Sequence, residues 1–591
     1  MRDKKYNLIS AAGYCFKYAP GASLIKSLNA IIGGASMPLI TLAVAFFIDN
    51  SIALANGGGK PAPVIAAIVF IAAYYAYAQI SRIIIRIADK TLENALRENL
   101  RPQLVQKQAR ISFALLETPE TSDLTARVCE KAEPQITAIL NSGINIIRLG
   151  IQIFGILALL AVHVWQLPLL FIISAAPVII IARKGGKAVY LKDAAITKLT
   201  RELYYLSGVL AGRETAAERA LFGYSDNINK KFSAVHLKRS DMNTKNIAVE
   251  HIAINACGLI VNALVIVSVF ALLRIIGDGG NNISHGLFIS LTGALIGLAR
   301  TITGAVANFM WEAAEYIEYM RDYTKFFALP ETGNNIKNCG KNIYFESLEI
   351  RNLKFKYTPE SDYVLNGVNL IIKNGKSYSL IGQNGAGKST LTKILLGLYR
   401  DFENEILING INISEYNTDA LRRIFSIVYQ DFAKYYITLG DNITLGDARG
   451  DLGAVLKSAE LGEVIAKLPE RENTPLGKIY NGGADISGGE WQKVAIARAL
   501  YADAPFMILD EPTASLGPMT ESKLYKRFAE IAKTKTALLI SHRLGSTKLS
   551  DILFVLDGGV IAETGTHDEL MAAGGIYAEM FKSQRSWYHK N

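Results

Sequence analysis

Nine consecutive residues, Gly382-Gln383-Asn384-Gly385-Ala386-Gly387-Lys388-Ser389-Thr390, fit the pattern GxxxxGK[ST]. An apolar run, Tyr378-Ser379-Leu380-Ile381, leads into them and a helical pattern follows. A loop between a strand and a helix turns several backbone N–H groups toward one point, and the helix N-terminus adds its positive end, so the loop suits phosphate. Glycines let the backbone wrap closely around an anion. In that arrangement Lys388 reaches the outer phosphates and Ser389 holds Mg²⁺. A second apolar run, Phe506-Met507-Ile508-Leu509, ends in Asp510-Glu511. In phosphate-loop enzymes an acid at such a strand end helps hold Mg²⁺, here Asp510. Glu511 then stands where it can orient or deprotonate an attacking water.

With these two elements in place the chain resembles the ATP-binding cassette (ABC) family along essentially its whole length, in the exporter arrangement with the membrane domain first. The resemblance assigns further residues. Tyr357 looks like the aromatic that stacks on adenine, and Gln430 like the glutamine that touches Mg²⁺ or the water and senses the membrane domain. Ser487-Gly488-Gly489-Glu490 is similar to the family signature, which acts on ATP bound to the opposite subunit. His542 resembles the switch histidine that contacts the γ-phosphate and, with Glu511, completes the catalytic pair. The resemblance implies ATP and Mg²⁺ as ligands, with Ser389, Gln430 and Asp510 around the metal. It also implies a second half-transporter, identical or different, because one cassette cannot complete its own site.

The sequence departs from the family pattern in two places. The last signature residue is Glu490 where a glutamine is usual, and a carboxylate near phosphates is unfavourable unless a Lys or Arg offsets it. Gly517 stands where an aspartate is usual. Such departures occur in dimers with unequal ATP sites, whereas Glu511 and His542 mark this chain's own side as hydrolytic. The stretches around Gln430 and the signature look similar to bacterial exporters of peptides, lanthipeptides included.

Half of the 591 residues are hydrophobic and a fifth are charged, fewer charges than soluble domains carry. The net charge of +10 fits cytoplasmic loops of a membrane protein rather than nucleic-acid binding. The four cysteines form no CxxC and read as reduced thiols. Spanning a bilayer takes about 20 apolar residues. Ser27–Ile48, Pro61–Ser81, two spans split at His163-Val164-Trp165-Gln166, Ile252–Leu273 and Gly286–Val306 supply six. The segments between spans two and three, and four and five, are long and rich in Lys and Arg, which places them and both termini in the cytoplasm of an inner-membrane protein. They read as helical, so the spans are expected to continue beyond the membrane. Stretches near Phe113–Thr125 and Gly212–Ser225 are expected to press on the cassettes, as the family's coupling helices do.

Polar residues inside spans are candidates for a substrate path. Arg300, Tyr74 and Asn262 are the cavity candidates, with Asn141, Asn145 and Arg148 on or near the third span. The predicted organisation is an all-α six-helix transmembrane domain over 1–330, a linker over 331–344, and an α/β phosphate-loop nucleotide-binding domain over 345–591. The predicted function is ATP-driven export of a peptide or other amphipathic substrate outward across the lipid bilayer of the cytoplasmic membrane. Two alternatives stand beside it: a lipid or drug flippase of the same fold, and an ATP-gated membrane regulator that transports nothing.

Overall fold

Long uncharged stretches of Leu, Ile, Val and Ala satisfy their own backbone hydrogen bonds only as helices when water is excluded. The computed structural model describes residues 5–213, 215–277, 283–332, 344–445, 450–478, 482–511, 525, 530, 535–541 and 547–588. It divides into two units, Met1–Ile111 with Leu116–Pro330, and Ser112–Leu115 with Glu331–Asn591.

The first unit is helical. Its main helices are α1 (Leu8–Tyr18), α2 (Pro20–Ala55), α3 (Pro61–Asn99), α4 (Ala132–His163), α5 (Gln166–Ala211), α6 (Ser225–Gly277), α7 (His285–Arg300) and α8 (Ala307–Ala328). Prolines open α2 and α3, where the missing N–H has no helical partner in any case. Asn7 and Ser10 form a capping box on α1, and Ser284 caps α7. Among the described residues, four helical stretches are long and apolar enough to cross a membrane: Pro20–Ala55, Pro61–Arg110, Ala132–His163 and His285–Ala328. Shorter apolar segments, Gln166–Ala182 and Gly258–Arg274, lie within α5 and α6. These are the six stretches marked by the sequence, and the chain breaks between His163 and Gln166 as its polar tetrad predicts. At 1.5 Å per residue, α5 and α6 extend about 70 and 80 Å, more than twice a bilayer's hydrocarbon thickness. The helical loops are therefore continuations of the spans.

Small residues let α2 and α4 approach closely. A Cβ on Gly34 would lie 2.7 Å from the Arg148 carbonyl, and one on Gly155 would lie 2.3 Å from Cγ of Pro38. Leu160, Phe171, Val178, Val261, Leu291 and Leu295 meet in a buried core shared by α4, α5, α6 and α7. Between α7 and α8 the six residues Thr301–Val306 form a π-helical turn, which admits one residue more than a regular turn. The described cysteines, Cys15 and Cys129, are buried free thiols.

The second unit is α/β. One sheet has the order β10-β9-β3-β8-β7-β6 among the described residues, built from β3 (Ser377–Ile381), β6 (Phe425–Val428), β7 (Phe506–Asp510), β8 (Thr536–Ile540), β9 (Ile552–Asp557) and β10 (Val560–Gly565). All of its pairings are parallel except that of β10 with β9. β7 and β8 are buried along their whole length, as strands covered on both faces must be. A second, antiparallel sheet, β2-β1-β4-β5, uses β1 (Ser347–Phe355), β2 (Leu365–Lys373), β4 (Glu403–Ile408) and β5 (Ile411–Asn412). The largely parallel reading of the cassette thus covers only one of its two sheets. Register shifts after Ile350 and a left-handed Asn352, φ 49°, interrupt the alternation of β1 that would have marked it. Three helices matter for the site: α9 (Lys388–Leu395), α10 (Gly488–Tyr501) and the C-terminal pair's first member, α11 (His567–Ala573).

Candidate functional site

Strand register brings the chemistry-bearing residues to one edge. Leu380 of β3 and Asp510 of β7 both pair with Ile540 of β8, and Val428 of β6 pairs with Leu509. The segments that leave these strand ends carry the phosphate loop, Gln430, Asp510-Glu511 and the approach to His542. Ligands of open parallel sheets bind beyond these carboxyl ends. Glu511 adopts a left-handed φ of 44° and its N–H bonds to the Ile540 carbonyl at 3.0 Å. A non-glycine residue in that region is strained and needs surroundings that hold it there. His542 and Gly517 lie outside the described residues.

The loop between β3 and α9 owes its shape to glycine. Gly385 and Gly387 have φ of 83° and 103°, and a Cβ on Gly382 would lie 2.3 Å from the Leu556 carbonyl. Lys388 is buried, and its Nζ donates to the carbonyls of Gly382, at 2.8 Å, and Gln383, at 2.9 Å. The ammonium therefore braces its own loop. Burial pulls the Lys388 pKa down, while the charges of Glu511 and Asp510 work the other way. Burial, and next the negative charge of Glu511, push Asp510 up to about 6, and Asp431 adds to this. Three carboxylates facing one ammonium leave surplus negative charge. Together with the exposed Ser389 hydroxyl and Gln430 amide they form an oxygen donor set that suits a hard divalent cation.

Tyr357 is 46% exposed, with its ring edge-on to Phe355 at 5.1 Å and Tyr399 at 5.4 Å. Its hydroxyl lies 2.8 Å from Thr390 Oγ1. The loop after Gln430 is pinned by Arg498 of α10, which donates to the Ala433 carbonyl at 2.7 Å and lies 4.7 Å from the Tyr435 ring centre. In the same unit, Phe113 meets Tyr399 edge-on at 5.8 Å, with the Lys393 ammonium 5.3 Å from the Phe113 ring.

The signature opens α10. Ser487 is the N-cap, Gly488 and Gly489 form the first turn, and Glu490 closes a capping box. The Glu490 carboxylate accepts from the Ser487 N–H at 2.7 Å, which holds its pKa below the usual carboxylate range, with Lys467 and Lys493 as flanking positive charges. The carboxylate expected to disturb a phosphate site is thus turned onto its own backbone and flanked by lysines. Among the described residues no hydrogen bond joins Ser487–Glu490 to the phosphate loop.

In the helical unit, Arg300 is exposed at the end of α7 and Asn262 is exposed on α6, while Tyr74, on α3, is half-buried with its ring 5.4 Å from Tyr75. The third-span residues follow another course. Glu133, Thr137, Asn141, Asn145, Arg148 and Gln152 recur every three or four residues, one stripe along α4. Parts of it pair across helices: Glu133 with Arg101 at 2.6 Å, Asn141 with Lys26, and Gln152 with Thr301 at 3.3 Å. Lys26 is buried and also bonds Asp89 of α3. The stripe was half legible, since Glu133 and Thr137 precede the apolar run and Lys26 reads as the flank of the first span.

Comparison with known proteins agrees with this geometry. A family model described as ABC transporter matches residues 365–514. The subtilin transport ATP-binding protein SpaT of Bacillus subtilis is 26% identical over 495 residues, 82% of this chain and 79% of that protein. An ATP-dependent lipid A-core flippase of Pseudoalteromonas translucida is 29% identical over 509 residues, 82% of this chain and 83% of that one. The fold matches that of a bacterial Atm1-family ABC exporter with ATP bound, with a TM-score of 0.76 and 24% identity over 95% of this chain and 98% of the other. An ABC domain that binds ATP, relatives matched over most of their length and a shared exporter fold lead to one conclusion: the chain belongs to the ABC transporters, as a subunit of an ATP-driven exporter.

Proposed function

We propose that this chain pairs with a second half-transporter in the inner membrane and couples ATP hydrolysis to outward movement of a peptide or similar amphipathic substrate. The observation that carries the hydrolytic part is the convergence of Lys388, Asp510, Glu511 and Gln430 at the carboxyl edge of one parallel sheet. In this reading Tyr357 stacks on adenine, Gly382–Thr390 cradle the phosphates and Lys388 exchanges its loop carbonyls for phosphate oxygens. Ser389, Gln430 and Asp510 hold Mg²⁺, whose chemistry is to neutralise charge on the outer phosphates. Glu511 accepts a proton from the attacking water, and His542 steadies the γ-phosphate. Ser487, Gly488 and Gly489 donate from the start of α10 to ATP bound in the other subunit. ATP binding then favours the closed cassette pair and hydrolysis releases it. Both termini and both cassettes lie in the cytoplasm.

The peptide assignment is supported by the likeness to the subtilin transport protein. A lipid reading is supported by the flippase relatives and by the exposed Arg300, whose charge in a span suits an anionic head group.

The test uses the purified transporter in liposomes. Glu511→Gln is expected to retain ATP binding and lose at least about a hundredfold in turnover, the scale of a lost general base. Lys388→Ala is expected to lose ATP binding itself. Wild-type turnover in both variants would refute the site. Stimulation of ATPase by peptide or by lipid separates the two substrates.

A further inference from the structure

We propose that the Tyr357 hydroxyl positions the Thr390 hydroxyl for a phosphate oxygen, so that the base-stacking ring and the phosphate cradle act as one relay. The inference rests on the nucleotide site proposed above. Tyr357 needs only a flat ring to stack on a base, so its hydroxyl is unexplained by stacking. That hydroxyl is spent on Thr390 Oγ1, 2.8 Å away, in the first turn of α9. Thr390 is buried, 6% exposed. A phenol, with a pKa near 10, is the stronger donor of the two, so Tyr357 donates and Thr390 accepts.

The Thr390 hydroxyl then keeps its own hydrogen, and among the described residues no acceptor lies within reach of it. An unused buried donor is unfavourable, and here it sits beside N–H groups at a helix start that have no helical partner. A phosphate oxygen in the cradle answers both. Two hydroxyls in series polarise each other, which strengthens the outer bond. The ring is also fixed, since Phe355 and Tyr399 hold its edges. Tyr357 in this role is a positioning residue, acting on phosphate through Thr390.

Inorganic tripolyphosphate separates the relay from stacking, because it has phosphates and no base. The full-length transporter in nanodiscs is titrated with ATP and with tripolyphosphate, each displacing a fluorescent nucleotide. Tyr357→Phe keeps the ring and is expected to weaken tripolyphosphate binding about threefold to tenfold, the span of one hydrogen bond. Thr390→Val is expected to weaken it at least as much, and adding Tyr357→Phe to it changes nothing further. Thr390→Ser, which restores the hydroxyl, restores the sensitivity to Tyr357→Phe. If Tyr357→Phe leaves the tripolyphosphate Kd unchanged, or if the two losses add in the double variant, the relay is wrong. Lys388→Ala keeps the two readings apart. Loss of both ligands with that variant upholds the site even when the relay fails, and retention of both overturns the site itself.

Discussion

Glu490 shows how a single side chain can carry a charge into a phosphate site without presenting it there. Its carboxylate accepts from the Ser487 N–H and its own N–H bonds back to the Ser487 hydroxyl at 3.3 Å. Glutamine keeps an acceptor oxygen in that position and alanine does not. Glu490→Ala is expected to lower the thermal midpoint of the cassette, at about 1 kcal/mol for a lost cap, while Glu490→Gln stays near wild type at neutral pH. Because the folded pKa lies below the unfolded one, the wild-type contribution is present above the ordinary carboxylate range and is lost as pH falls through the folded value. The Glu490→Gln midpoint should lack that acid-dependent loss. An unchanged midpoint in Glu490→Ala would show that the box does not stabilise α10. The same geometry bears on ATP affinity at the opposite site: with the charge held by Ser487, Lys467 and Lys493, Glu490→Gln should alter it little.

Between helices, fit is decided by pairs that only make sense together. Pro38 bulges from α2 where Gly155 of α4 has no side chain, so Gly155→Val is expected to overpack the seam by about 1 to 3 kcal/mol and reduce the folded yield in membranes. Pro38→Ala removes the opposing ring and should recover part of that loss. Failure of the second change to rescue the first would separate the two residues. No property of the sequence links Pro38 to Gly155, which is why this seam was illegible before the structure. The elements themselves were legible. Uncharged runs gave the spans, and His163-Val164-Trp165-Gln166 gave the break between α4 and α5, because four residues of mixed polarity stand alone in an apolar stretch. The phosphate loop and Asp510-Glu511 were legible because their spacing is dictated by the anion they serve. The antiparallel sheet was not, since bulges and Asn352 break the strand alternation on which recognition depends. The role of Lys26 was hidden for a third reason: a lysine near a helix end looks like a head-group anchor until Asp89 and Asn141 are found beside it.

For the assembled transporter, the question is what completes an ATP site. The Ser487 loop makes no hydrogen bond to the phosphate loop among the described residues, as expected if it serves a neighbour. Mixing Lys388→Ala chains with Ser487→Arg chains tests this directly. Each pure dimer lacks both sites, whereas a mixed dimer of this chain keeps one intact. Turnover on the order of a quarter of wild type is then expected, since random pairing makes half of the dimers mixed. No recovery on mixing would point to a different chain as the partner. The widened turn at Thr301–Val306 has a bearing on such motions as well. One additional residue rotates α8 by about 100° around the axis it shares with α7. Leu291, Leu295 and Leu298 before the turn, and Tyr319, Tyr323 and Phe326 after it, are therefore buried out of phase with one another on what looks like one continuous rod. Deleting a single residue from 301–306 would bring the two halves into phase and swing the cytoplasmic half's buried face into water, so the length of that turn is as binding as any side chain in it.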